Sequence, residues 1–233
     1  MPVEVFNMEK GYAVFSKDGY ETKRHAHYGI EIVVCTEGSV QLTTDCCAFE
    51  NLKSAIIPSN VPHSFSCLKG TCNLLFVDPL SDAGKYFMQY YHLNAVNDII
   101  VDPPLSEFYR NHRFDVWRLD SIRADFGSNV DPRILKCVRD ISSVVADHNV
   151  TLAQLARASF LSESRFSHLF KKQTGISVRQ WILWKKMLLA VSKSMEGCSL
   201  TECAHYVGFA DSSHFIKAFK KMFGINPFTV LKR

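Results

Sequence analysis

No apolar run in the 233-residue chain approaches the ~18 residues that a membrane-spanning helix needs, which argues against a helical membrane protein. Its start, Met1-Pro2-Val3-Glu4, lacks the basic segment followed by an apolar stretch of a secretory leader, so the expected location is the cytoplasm. Internal repeats of solenoid period and low-complexity tracts are also missing. The eight cysteines, at positions 35, 46, 47, 67, 72, 137, 198 and 203, follow no regular spacing. With no leader, they read as mostly reduced thiols rather than a disulfide framework.

What remains is an ordinary globular composition, 47% hydrophobic, over a length that suits two domains better than one. The net charge of +4 hides an asymmetry: residues 1–130 carry 11 Lys and Arg against 16 Asp and Glu, while residues 131–233 carry 16 against 7. The first part is therefore at −5 and the second at +9. A basic half is what neutralising phosphates requires, and an acidic partner half limits non-specific contact with nucleic acid.

The N-terminal pattern reads as β. Ile30–Val34 is short and β-branched, Ser39–Thr44 alternates, Ala55–Ile57 stops at Pro58, and Asn73–Val77 ends at Asp78-Pro79. Short strands punctuated by Gly and Pro suggest a small barrel or sandwich over residues 1–80. From Ser81 the period changes. Ala83, Tyr86, Phe87 and Tyr90 form one helical stripe, read as a dimerisation face, and a second helix is expected over Leu105–Ile122. Residues 81–126 form this helical segment, Gly127-Ser128-Asn129 reads as a linker, and Asp131-Pro132 opens the C-terminal domain, residues 130–233.

That domain carries two helix-turn-helix patterns. A first helix has Ile134, Val138, Ile141 and Val145 on one face. Thr151 caps Leu152–Ala158, with Leu152, Leu155 and Ala156 inward. Ser162 caps the next helix, where Phe166, Leu169 and Phe170 point inward and Gly175 ends it. Its other face presents Ser164, Arg165, Ser167, His168, Lys171 and Lys172. Short polar groups can reach base edges in a major groove while cations reach phosphates. A long helix from about Val178 to Met195, with Trp181, Leu188 and Val191 apolar, sets the separation to the second unit. There Ser199 caps a short helix, Gly208 makes the turn, and Asp211 or Ser212 caps a helix with Phe215, Ala218, Phe219 and Met222 inward. Ser212, Ser213, His214, Lys217, Lys220 and Lys221 complete its DNA-facing set, joined in the first unit by Ser162.

Residues ~131–229 resemble the C-terminal domain of the AraC/XylS family of bacterial transcriptional regulators. The resemblance rests on Leu152, Ala156, Ser162, Phe170, Gly175, Ala190, Ala204, Gly208-Phe209, Ser213, Phe215, Phe219, Phe223-Gly224 and Pro227. It implies a seven-helix domain whose third and sixth helices, here about 162–173 and 211–222, read adjacent major grooves. Val178, Lys186 and Cys203 depart from the family's usual Pro, Arg and Ile.

The N-terminal half holds a second pattern, Gly19-x5-His25-x-His27-x3-Glu31-x6-Gly38 followed by Pro58-x-Asn60-x2-His63. Three imidazoles and a carboxylate can bind Fe, Mn, Ni, Cu or Zn, and on a strand His25 and His27 share a face. The pattern resembles the cupin barrel, with Leu52 and Asn60 where cupins usually have glycines and Cys67 where an asparagine is common. His25, His27, Glu31 and His63 are thus candidates for a small-molecule effector or a divalent metal, or a hydrogen-bonded closure of the barrel mouth. Cys46, Cys47, Cys67 and Cys72 raise the further idea of redox or soft-metal sensing, against ordinary structural cysteine.

The expected fold class is α+β: a cupin-like β-barrel with following helices, then an all-α domain with two helix-turn-helix motifs. The expected function is a non-enzymatic, sequence-specific transcriptional regulator, an activator by family resemblance. It would bind promoter DNA as a homodimer, contact RNA polymerase, and respond to a small molecule in the barrel. The alternatives are a metal-dependent cupin enzyme or metal/redox sensor fused to a DNA-binding domain, and a ligand-free dimerisation module in place of the sensor.

Overall fold

The computed structural model describes residues 3–7, 10–93, 99–123, 130–144, 150–224 and 226–230, with the side chains of residues 3, 4, 6, 139–144, 229 and 230 undescribed. Two compact units emerge, residues 1–124 with 213–233, and residues 125–212. The expected linker at Gly127-Ser128-Asn129 and the side chains of Ile141 and Val145 lie outside the described residues.

The first unit is built on strands β1 (Val3–Asn7), β2 (Tyr12–Glu21), β3 (Ile30–Cys35), β4 (Val40–Thr44), β5 (Ala48–Leu52), β6 (Ser54–Ile57) and β7 (His63–Val77). They form a nearly closed antiparallel barrel in the order β1-β2-β7-β3-β6, with β4 bonded to β5 and β7. Strand β7 organises it. One edge of β7 pairs with β2 from Tyr12↔Val77 to Glu21↔Ser66; the other pairs first with β4 and then with β3. The change of partner falls at Lys69-Gly70, where the chain after β3 crosses β7 in backbone contact. A Cβ on Gly70 (φ +103) would lie 1.2 Å from the Glu37 carbonyl oxygen, and one on Gly38 (φ +92) 1.9 Å from that of Lys69. Only glycine permits this crossing.

All six residues of β3 are buried, because both faces of the strand are covered. Ile30, Ile32 and Val34 join Leu75, Val77, Ala83, Phe87, Phe108, Phe114 and Leu119 in one apolar cluster; Glu31, Val33 and Cys35 alternate to the opposite face. Helix α1 (Asp82–Tyr90), capped by Ser81, supplies Ala83 and Phe87. Of the stripe read as a dimerisation face, Ala83 and Phe87 are thus buried in the unit's own core and Tyr86 is half-buried, while Tyr90, together with Met88, is an exposed large apolar side chain of α1.

The expected helix over Leu105–Ile122 needs correction. After β8 (Ile100–Val101), which pairs with β6, residues 109–114 form a hairpin of β9 (Tyr109–Arg110) and β10 (Arg113–Phe114). Only α2 (Val116–Ser121), capped by Asp115, is helical. Asn111 and His112 both have positive φ, 49° and 63°, the demand of a two-residue type I′ turn. The apolar spacing of this segment suggests one long helix, but the turn breaks it, and Leu105, Phe108, Phe114 and Leu119 are buried from separate elements.

The second unit holds α3 (Pro132–Val144), α4 (Leu152–Ala158), α5 (Glu163–Thr174), α6 (Val178–Met195) and α7 (Leu200–Tyr206). Thr151, Ser177 and Ser199 each close a capping box, with Gln154, Gln180 and Glu202. The core is aromatic: Phe166, Phe170, Trp181 and Trp184 are almost wholly buried, with the Phe170 and Trp181 rings 5.1 Å apart. The remaining helices, α8 (Ser212–Phe223) and α9 (Pro227–Val230), belong almost entirely to the first unit.

Candidate functional sites

His25, His27, Glu31 and His63 converge. Their ligand atoms all lie within 4.8 Å of one another and all four residues are buried. Glu31 points inward from β3, and His63 opens β7. His25 and His27 occupy the link between β2 and β3 rather than a regular strand. Backbone pairing fixes them: His25 and His63 exchange N–H···O bonds of 2.9 Å, and the His27 carbonyl accepts the Asn60 N–H at 2.7 Å.

Each imidazole is also oriented by a backbone carbonyl two residues away. Nδ1 of His25 donates to Lys23 at 2.9 Å, that of His27 to Gly29 at 2.8 Å, and that of His63 to Val61 at 2.8 Å. A carbonyl only accepts, so the Nδ1 atoms carry the protons and a neutral ring keeps its lone pair on Nε2. Such carbonyl anchoring is the usual outer support of a metal-binding histidine.

Against this tautomer, the carboxylate is informative. Oε2 of Glu31 lies 3.0 Å from Nε2 of both His27 and His63. Without a cation, both rings would have to be doubly protonated to donate to that oxygen. The His25 ring stands only 4.3 Å from His63. Burial, then the charges of His27 and His63, push His25 down to about 3, so it is neutral at physiological pH. For Glu31, burial works upward, but the bonds from His27 and His63 outweigh it and hold the carboxyl well below its usual range. For His63, burial works downward and is outweighed by Glu31, so its affinity for a proton rises. Oε1 of Glu31 is buried with no hydrogen-bond partner among the described residues. A divalent cation would accept the Nε2 lone pairs, employ the orphaned oxygen and remove the need for two buried imidazolium ions. The donor set fits a metal.

Aromatic rings line this site, a feature that the sequence motif does not announce. Phe76 meets His27 edge-on at 5.2 Å, and Phe223, in the same unit, meets Phe76 at 5.8 Å. The Gly224 carbonyl accepts the Lys23 N–H at 3.2 Å.

The residues expected to face DNA lie on helix surfaces. In α5, Ser164, Arg165, His168, Lys171 and Lys172 are exposed and Ser167 is half-buried, opposite the buried Phe166 and Phe170. The exposed Ser162 is the cap, its hydroxyl accepting the Arg165 N–H at 3.3 Å. Gly175 ends the helix at φ +77, as expected. In α8, Ser213, His214, Lys217, Lys220 and Lys221 are exposed, Ser212 is half-buried, and Phe215 and Phe219 are buried. Since Ser212 is the first helical residue, Asp211 takes the capping position. Phe160 was not anticipated. At the turn between α4 and α5 it is 92% exposed with φ +54. Gly208 occupies the equivalent turn of the second helix-turn-helix at φ +77.

These features agree with what known proteins share with this chain. Residues 155–233 match the helix-turn-helix domain family. The arabinose operon regulatory protein of Escherichia coli is 34% identical over 115 residues, which cover 47% of this chain and 38% of that protein. The probable transcriptional regulator LumQ of Photobacterium leiognathi is 27% identical over 191 residues, 73% of this chain and 75% of LumQ. The chain thus aligns to about two-fifths of the arabinose regulator's length. Among solved structures, ToxT of Vibrio cholerae covers 95% of this chain and 98% of its own at a TM-score of 0.59 and 14% identity, a likeness of fold. Residues 155–233 thus carry a helix-turn-helix domain similar to that of these regulators, and the chain as a whole shares the fold of ToxT.

Proposed function

We propose that the chain is a sequence-specific DNA-binding transcriptional regulator, acting as an activator in the cytoplasm under control of a small molecule at the N-terminal barrel. The observation that carries this reading is the pair of helices α5 and α8, each with a buried aromatic stripe and an exposed face of Ser, His and cations. In this reading Ser162, Ser164, Arg165, Ser167, His168, Lys171 and Lys172 contact one major groove. Ser212, Ser213, His214, Lys217, Lys220 and Lys221 contact the next. The functional division is a barrel (1–80), a helical segment (81–126) and a DNA-binding domain (130–233). Promoter DNA, RNA polymerase and a second copy of the chain are the partners. Effector binding biases the DNA-competent state by a coupling of typically ~1–3 kcal/mol. The fold of ToxT, solved with an unsaturated fatty acid bound, supports control by a small molecule. Selection from a random-sequence duplex pool tests the reading. Enrichment of a motif with two half-sites about one helical turn apart is expected; enrichment no stronger than with non-specific competitor would overturn it.

The lone pairs converging on Glu31 favour a more specific form of the same reading, in which His25, His27, Glu31 and His63 hold a divalent metal. When bound, the metal supplies a Lewis-acidic point to which an anionic or carbonyl-bearing effector can attach. The protein's part is to fix the three tautomers, exclude water and present Glu31. Elemental mass spectrometry of the purified protein, beside a His25→Ala/His27→Ala variant, should find one equivalent that the variant loses. No metal even after reconstitution would leave an organic effector held by the same residues.

A further inference from the structure

The thiols of Cys46 and Cys47 sit together at the tip of the β4–β5 hairpin, with Sγ atoms 3.4 Å apart and both residues exposed. The turn is ordered by Thr44. Its hydroxyl accepts the N–H groups of Cys46 and Cys47, at 3.4 and 3.0 Å, and lies 3.4 Å from the Cys46 sulfur. The Thr44 N–H donates to the Cys47 carbonyl at 2.8 Å. This hairpin does not contribute to the histidine cluster or to the DNA-facing helices.

Three chemistries could join two such thiols, and geometry separates them. A disulfide needs Cα atoms roughly 4.4–6.8 Å apart, whereas neighbours across a trans peptide are held at about 3.8 Å. Direct S–S closure is therefore disfavoured here. A structural zinc ion needs four donors, and among the described residues the only clustered donor set is the histidine site. Nearby Asp45 is engaged by Arg24, whose guanidinium makes three hydrogen bonds of 2.5–2.8 Å to the two carboxylate oxygens. A three-coordinate pyramidal centre needs only two protein donors. With bonds to sulfur of about the zinc–thiolate length, ~2.3 Å, meeting near right angles, it holds its sulfurs about 3.3 Å apart, close to the 3.4 Å found.

We propose that Cys46 and Cys47 form a solvent-facing dithiol site that chelates trivalent arsenic. Arsenous acid exchanges two hydroxyls for two thiolates: As(OH)3 and two thiols give the dithioarsenite (RS)2AsOH, with one hydroxyl retained, and two waters. Two As–O and two S–H bonds break, two As–S bonds form, and each departing hydroxide takes a thiol proton. Arsenic stays at +3, so no oxidant or reductant is required. The Thr44 hydroxyl and then the Cys47 thiol hold the Cys46 thiol below its ordinary pKa, which favours Cys46 as the entering sulfur. The other close pair, Cys35 and Cys67 at 3.3 Å, is buried, and burial first and Cys67 second push the Cys35 thiol up to about 11.

The test uses the full chain and phenylarsine oxide, read by intact-mass spectrometry. One phenylarsenic adduct per chain is expected. It should survive excess glutathione, because a monothiol cannot match the chelate, and be removed by a small dithiol. Cys46→Ser and Cys47→Ser should each lose the glutathione-resistant adduct while Cys35→Ser keeps it. All three variants should first show the wild-type circular-dichroism spectrum. An adduct that persists in Cys46→Ser and Cys47→Ser, or one that glutathione strips from the wild type, would overturn the assignment.

Discussion

His25 and His63 face each other as an antiparallel pair, each giving its backbone N–H to the other's carbonyl at 2.9 Å while their rings stand 4.3 Å apart. The pairing makes the position of one imidazole dependent on the other. It also ties the link between β2 and β3 to the start of β7.

If a cation occupies the cluster, its removal should lower barrel stability. A ligand at one hundred times its dissociation constant stabilises by about 2.7 kcal/mol. Chelator treatment should therefore lower the melting temperature of the wild type and leave the Glu31→Gln variant unmoved. Differential scanning calorimetry with and without chelator measures both.

Placing an acidic side chain on either recognition helix should oppose phosphate and abolish specific binding. His168→Glu and Ser213→Glu are expected to retain wild-type circular dichroism and melting behaviour, since both positions are exposed. Operator affinity unchanged in both variants would remove the assignment of these faces.

Lysines that touch phosphate should reveal themselves through salt. Replacing Lys171, Lys172, Lys220 or Lys221 with Gln should reduce the slope of log affinity against log salt by about 0.9 for each phosphate no longer neutralised. Fluorescence anisotropy over a salt series gives the slope directly.

Phe170 is buried against Trp181, and Phe170→Ala should destabilise the second unit by roughly 3–5 kcal/mol. Phe160→Gly should act in the other direction. A bulky residue in the left-handed region carries roughly 1–2 kcal/mol of strain, and the exposed ring gives up little packing. Urea denaturation should place the two variants on opposite sides of the wild type.

Much of the helical half was legible because its signals are local. Thr151, Ser162 and Ser199 cap the helices they precede, and Gly175 and Gly208 take the positive φ expected of them. Ile30–Val34, Ser39–Thr44 and Ala55–Ile57 likewise announced strands by β-branching and alternation. The long strands β2 and β7 were harder to read, because Lys17-Asp18-Gly19 and Lys69-Gly70 interrupt their apolar pattern. Both interruptions meet at one register shift of the β2–β7 ladder, between the pairs Asp18↔Thr71 and Tyr20↔Cys67, and only the partner strand reveals that. The Leu105–Ile122 segment misled for the opposite reason: its apolar residues share one core but reach it from a hairpin and a short helix. At the histidine site the four converging residues, His25, His27, Glu31 and His63, were visible from spacing. The anchoring carbonyls of Lys23, Gly29 and Val61 and the rings of Phe76 and Phe223 were not, since backbone groups and distant aromatics leave no pattern near the motif.

The partnership of β2 with β7 also bears on how the chain reaches its native state. Tyr12 must find Val77 and Glu21 must find Ser66, so closure of the barrel waits on contacts far apart in sequence, whereas α4–α7 form from near neighbours. Non-local pairing slows folding by orders of magnitude relative to helical contacts. Refolding should show a fast helical phase followed by a slower barrel phase. The Cys46-Cys47 hairpin and the histidine cluster, both carried by the barrel, would then gain their native geometry only in the second phase.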